Sequence, residues 1–175
     1  MELLTTMKKA EKTIEKAFLP FPDEGTNQDV LDTLKQEHDE VKELLNQLVK
    51  SESGATRKSL LKKIKLALVP HSRAEEKVVY NAIIAKKDNE AKIDGEEGYH
   101  EHGLADKMIA TLSKISSATS PQFSAGAKVL KELIEHHISE EEKNVWKDVR
   151  KHFTTDQRVK MNIQFLKDKK KVRIS

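Results

Sequence analysis

Cysteine is absent from the 175-residue chain, which excludes disulfides, thiolate metal sites and thiol nucleophiles. Gly and Pro are scarce, at 6 and 4 residues, and aromatic residues make up only 5%. A chain with so few turn formers and so much Leu, Glu and Lys folds as helices. Charge of one sign is also lacking: 32 Lys and Arg are offset by 29 Asp and Glu, leaving +3. Nucleic-acid binders concentrate positive charge instead, so no nucleic-acid partner is expected. The one basic cluster, residues 167–173, reads as a solvated tail. No apolar run approaches the roughly 18 residues that span a bilayer. Residues 1–12 lack the basic head and apolar core of a signal peptide. No membrane partner and a reducing, cytoplasmic location are therefore expected. The length suits one domain with a sizeable core.

What is present is helical periodicity. Residues 1–18 carry Leu3, Leu4, Met7, Ala10 and Ile14 at helical spacing, and residues 19–26 form a loop with two prolines and a glycine. A first long helix is predicted over 27–50, with the stripe Leu31, Leu34, His38, Val41, Leu45, Leu48. A second runs over 57–87, with Leu60, Ile64, Leu68, His71, Glu75, Val78 and Ala82 on one face and a bend at Pro70. Residues 88–95, polar and ending in glycine, are expected to connect it to a third helix over 96–116. Ser120-Pro121 starts a fourth, ending near 152. Thr155 caps a shorter last helix containing Val159, Ile163 and Leu166. The expected fold is all-α: an antiparallel up-down-up-down four-helix bundle over 27–153, preceded by an N-terminal arm (1–26) and followed by a C-terminal helix and basic tail (154–175).

The two halves repeat each other. Glu37-His38 matches Glu101-His102, and His71, Glu75, Glu76, Lys77, Val79, Tyr80 match His137, Glu141, Glu142, Lys143, Val145, Trp146 at a nearly constant offset. At about 100° per residue, positions i and i+4 share a helix face, so His71 and Glu75 point the same way, as do His137 and Glu141. Both glutamates fall in apolar stripes. Burying a carboxylate there is costly unless a cation compensates it. His38, His71, His102 and His137 lie at similar depths along their helices. Four histidines and two glutamates thus converge in one layer, and a metal site is the simplest account. The other histidines read as structural: His136, with Glu140 one turn on, falls on the outer face, His100 points away, and His152 sits at a helix end. Glu76 and Glu142 read as supporting or surface residues, and Asp106 and Tyr99 as flanking His102.

The order His, His-x-x-x-Glu, His, His-x-x-x-Glu over four helices resembles the haemerythrin or HHE cation-binding family, across about residues 29–151. The resemblance implies an antiparallel four-helix bundle around two iron ions, oxo- or hydroxo-bridged, with manganese or zinc less favoured. The implied ligands are His38, His71, Glu75, His102, His137 and Glu141. Nitrogen and carboxylate donors suit such metals, and bridging carboxylates hold two of them about 3.5 Å apart. Two imidazoles and three bridging oxygens leave each metal one open position. The expected partner is a small oxidant or gas: dioxygen, peroxide or nitric oxide. Oxygen-carrying members have a further histidine one turn after the one matched by His102. Here that position is Asp106, which favours catalase- or peroxidase-like reaction over reversible carriage. An iron- or oxygen-responsive sensing or storage module is the alternative.

Overall fold

The structure is a computed structural model, and it describes residues 27–174. The expected N-terminal arm lies outside the described residues. Helix α1 (Val30–Lys50) begins where the Asp29 side chain accepts from Leu31 N. Helix α2 (Gly54–Glu75) is capped by Ser53 and passes through Pro70 without interruption. A π-helical turn (Glu76–Tyr80) and α3 (Asn81–Ile84) continue the same rod. Helix α4 (Asn89–Ser113) follows, then α5 (Pro121–Glu140), a second π turn (Glu141–Val145) and α6 (Trp146–His152). Helix α7 (Thr155–Lys169) opens with a reciprocal capping box between Thr154 and Gln157.

Helix α1 packs on α2 and α5, and α4 packs on the same two, which makes a four-cornered bundle. Short links join consecutive helices, so neighbours run antiparallel. Two apolar clusters fill the interior. One, with Leu45, Leu48, Leu60, Ile64, Leu112, Phe123 and Leu130, lies towards the 51–53 and 114–120 links. The other, with Leu34, Val79, Tyr80, Ile83, Val149 and Phe165, fills the opposite end. The buried histidines and glutamates separate them. Helix α7 lies across α1 and α2. It is pinned by Arg158 Nε to Asp29 Oδ2 at 2.7 Å, Lys77 to Asp168 at 3.0 Å and Lys169 to Glu37 at 2.7 Å.

Several expectations need correction. The segment 88–95 is not a connection: α4 starts at Asn89, because the Asp88 side chain caps Ala91 N. Gly95 is there for close packing, since a Cβ would sit 2.7 Å from the Ile84 side chain. The π turn places one extra residue in the second rod. It carries the inward face from the expected Ala82 to Ile83, which is fully buried along with Val79 and Tyr80. In α7, Asn162, Phe165 and Leu166 face inward, and Ile163 is 49% exposed. The cap of α7 is Thr154 rather than Thr155. The basic end is not simply a solvated tail, because Lys169 lies on the Glu37 carboxylate and Lys171 on Asp168. No described helix is long and apolar enough to cross a membrane.

Candidate metal centre

The structure brings all six of the sequence-predicted site residues together in the layer between the two apolar clusters. His38 comes from α1, His71 and Glu75 from the last turn of α2, His102 from α4, and His137 and Glu141 from the junction of α5 with its π turn. All six are at most 4% exposed. Each carboxylate touches one histidine from each half of the chain. Glu75 Oε2 lies 3.2 Å from His71 Nε2 and 3.6 Å from His102 Nε2. Glu141 Oε2 lies 3.4 Å from His38 Nε2 and 3.5 Å from His137 Nε2. Two sets of donors, His38–His71–Glu75 and Glu75–His102–His137, are compact enough to hold an ion each, with Glu75 shared between them.

All four rings turn Nε2 inward and Nδ1 outward, and every Nδ1 meets a second carboxylate. His71 Nδ1 is 2.9 Å from Glu37, His137 Nδ1 2.6 Å from Glu101, His102 Nδ1 3.1 Å from Glu76 and His38 Nδ1 3.1 Å from Glu142. An ionised carboxylate only accepts, so each Nδ1 donates and each Nε2 presents a lone pair to the centre. This is the arrangement that fixes the tautomer of a metal-binding imidazole. The sequence reading left Glu76 and Glu142 undecided and gave Glu37 and Glu101 no role. The signal was present in the repeated Glu-His dipeptide and the repeated Glu-Glu pair. Arg73 Nη1 at 2.6 Å on Glu76, Lys169 on Glu37 and Lys35 at 3.5 Å on Glu142 hold these supporting carboxylates in turn.

Apart from Glu75 Oε2, which accepts from the Tyr80 hydroxyl at 3.5 Å, most interior oxygens of the layer are left without protein partners. His38 Nε2, Glu75 Oε1 and both oxygens of Glu141 are buried with no hydrogen bond. His102 Nε2 and His137 Nε2 face each other at 3.1 Å. With both Nδ1 atoms donating outward, two lone pairs at that separation repel unless a cation sits between them. Unpaired buried carboxylates cost several kcal/mol each on the usual scale. The donor set therefore fits bound cations and fits no apolar account. In the metal-free protein the two carboxyls are shifted in opposite directions. Burial and the Glu141 charge push the Glu75 carboxyl well above the usual range. Burial also pushes Glu141 up, but the adjoining His38 ring and Glu75 outweigh it and hold Glu141 well below. Burial holds His102 down at about 4 despite Glu76.

Two aromatic residues repeat the two-fold pattern: Tyr80 stacks on His102 at 5.3 Å and Trp146 on His38 at 6.0 Å between centroids. Burial and the nearby glutamates raise the Tyr80 hydroxyl well above its ordinary value. The flanking residues stay outside the centre. Asp106 pairs with Arg73, and Tyr99 donates to Glu76 O and Asn81 Oδ1. His136 is 63% exposed, as expected of the outer face. His100 is exposed as well, and His152 reaches Asp88 at 2.9 Å.

The family model described as Hemerythrin HHE cation binding domain matches residues 29–147. The chain belongs to this family. It is accordingly a metal-binding helical domain, with His/Glu groups placed to hold the metal. A curated relative, a DNA nickase from Nostoc sp. (strain PCC 7120 / SAG 25.82 / UTEX 2576), is 22% identical over 143 residues, or 82% of this chain. The chain spans only 40% of that relative's length. No solved structure matches.

Proposed function

We propose that this haemerythrin-family chain is a non-haem two-metal protein that takes iron by preference and reacts with a small oxidant. One observation carries the reading: four inward-facing Nε2 atoms surround two carboxylates, each of which touches one histidine of either half. Two such carboxylates are placed to bridge, and imidazole with carboxylate oxygen favours iron over softer metals. His38, His71, His102 and His137 would supply the nitrogen donors, and Glu75 and Glu141 the bridges. A bound iron pair would supply the two electrons that reducing peroxide requires.

The chain's own contribution is orientation, exclusion of water and selection by size. Glu37, Glu76, Glu101 and Glu142 hold the imidazoles in one tautomer. The two apolar clusters keep bulk water from both ends of the layer. A small cavity opens beside the centre, lined by His38, His71, Val41, Leu68, Ile134 and Ile138 among others, with room for about 30 Å³. A volume of that order has room for a water-sized or diatomic ligand, so it admits dioxygen, peroxide or nitric oxide. Lys169 stands at its edge, and through Glu37 it links the His71 ring to α7. That linkage favours a second reading, a module whose C-terminal helix responds to the state of the centre.

The test is elemental analysis of protein purified without chelator, followed by mixing the reduced, iron-loaded protein with hydrogen peroxide while oxygen is monitored. About two metal ions per chain, reoxidation and turnover are expected. The absence of bound transition metal overturns the central reading. Metal binding without turnover, together with a change in α7, moves the protein to the responsive reading.

A further inference from the structure

A second cleft reaches the centre from another side, and its chemistry differs from that of the small cavity. It runs between α4 and the start of the second π turn, is partly open to solvent, and is narrower than the cavity, with room for about 10 Å³ against about 30 Å³. Asp94, Glu97 and Glu101 line one wall, spaced three and four apart on one face of α4. Glu140 and Glu141 line the other. No lysine or arginine is among its lining residues. The cavity beside the centre, by contrast, mixes aliphatic side chains with only two carboxylates, Glu37 and Glu40, and is edged by Lys169.

Burial rises along the cleft. Glu97 is exposed, Asp94, Glu101 and Glu140 are half-buried, and Glu141 at the inner end is 2% exposed. Both Glu141 oxygens lack a hydrogen-bond partner. Two of the four outer carboxylates already have neighbours that keep them in place: Asn144 donates to Glu140 at 2.8 Å, and Glu101 accepts from His137. An acidic groove with low-dielectric walls focuses its field and raises the local concentration of cations. Carboxylate oxygens at successive depths can also replace a hydrated ion's water in steps rather than all at once.

We propose that this cleft is the loading route by which divalent cations reach the centre: Asp94 and Glu97 gather the ion at the mouth, and Glu140 passes it to Glu141. The cavity beside Val41 and Ile134 is left to the oxidant. The proposal rests on the two-metal reading above. It concerns the rate of filling and not the final occupancy.

The experiment follows uptake of Co²⁺ by the metal-free full-length protein in a stopped-flow instrument, at low ionic strength, through the visible bands of the bound ion. The double variant Glu97→Gln/Glu140→Gln is compared with wild type. Glu40→Gln, at the other cavity, serves as control. The double variant is expected to load about tenfold more slowly and reach the same end point, with the gap narrowing as salt is added. The control is expected to load at the wild-type rate. Equal rates for wild type and double variant overturn the route, as does slowing by Glu40→Gln. A lower end point in the double variant also overturns it, because these residues would then be ligands. A wild-type protein that takes up no cation overturns the two-metal reading itself, whereas normal filling at unchanged rates overturns the loading route alone.

Discussion

Replacing Glu37 by Gln removes the charge that faces both His71 Nδ1 at 2.9 Å and Lys169 Nζ at 2.7 Å. Burial pushes this carboxyl up, but the His71 hydrogen bond and Lys169 outweigh it and hold it at about 2, against an ordinary 4.5. Its side chain is only 15% exposed, so little of the effect is lost to solvent. A gap of that size corresponds to about 3 kcal/mol, at roughly 1.36 kcal/mol per unit. The group is depressed in the folded state, so its contribution is fully present above pH 4.5 and lost as pH falls towards 2. Urea unfolding of the metal-free protein at a series of pH values is the assay. At pH 7 the variant is expected to be less stable by about 1–3 kcal/mol, and the difference should shrink steadily between pH 4.5 and 3. Metal affinity should fall by about 10–100-fold, the usual loss when the partner of a ligating imidazole is removed. A stability difference that stays constant over that pH range would refute the reasoning, since Glu37 would then act through packing and not through charge.

Two further outcomes follow from the same geometry. Glu75→Ala removes a carboxyl that burial pushes well above the usual range, so its metal-free form should be no less stable than wild type, whereas Glu141→Ala removes one held well below that range and should cost stability. Both should lose the rise in melting temperature on adding metal, about 2.7 kcal/mol at a hundredfold excess over Kd. His136→Ala should change neither quantity, and differential scanning calorimetry with and without iron checks all three. Gly98→Ala would place a Cβ 2.5 Å from Tyr80 Cζ, against a ring that is fully buried beside His102. Denaturant titration should show a loss of about 1–3 kcal/mol from this overpacking, and an unchanged midpoint would mean that the ring has room to tilt.

The long helices and the convergence of His38, His71, Glu75, His102, His137 and Glu141 were legible in the sequence because the repeat states them twice. Periodicity located the stripes, and duplication distinguished buried His-x-x-x-Glu pairs from surface ones such as His136 with Glu140. The π turns were not legible, since a one-residue excess looks like ordinary scatter when apolar positions are counted by threes and fours. That is why Ile83 was missed. Gly95 was misread because glycine marks a turn in most polar stretches, whereas here it marks the close approach of Ile84. The role of Lys169 depends on α7 folding back over α1 and α2, a long-range contact that no local pattern encodes. The same is true of Glu76 and Glu142, whose partners lie in the opposite half.

Those cross-connections bear on ancestry. Glu37 and Glu101 steady histidines of their own half, while Glu76 steadies His102 and Glu142 steadies His38, each in the other half. Neither helical hairpin can complete the centre alone, because each takes one orienting carboxylate and one inward-facing carboxylate contact from its twin. This is the reciprocity of an isologous dimer, in which residue i of one subunit meets j of the other and j meets i. The chain is organised as two copies of a two-helix unit fused head to tail, and a single hairpin of this design would need to pair with itself to rebuild the cross-braced layer.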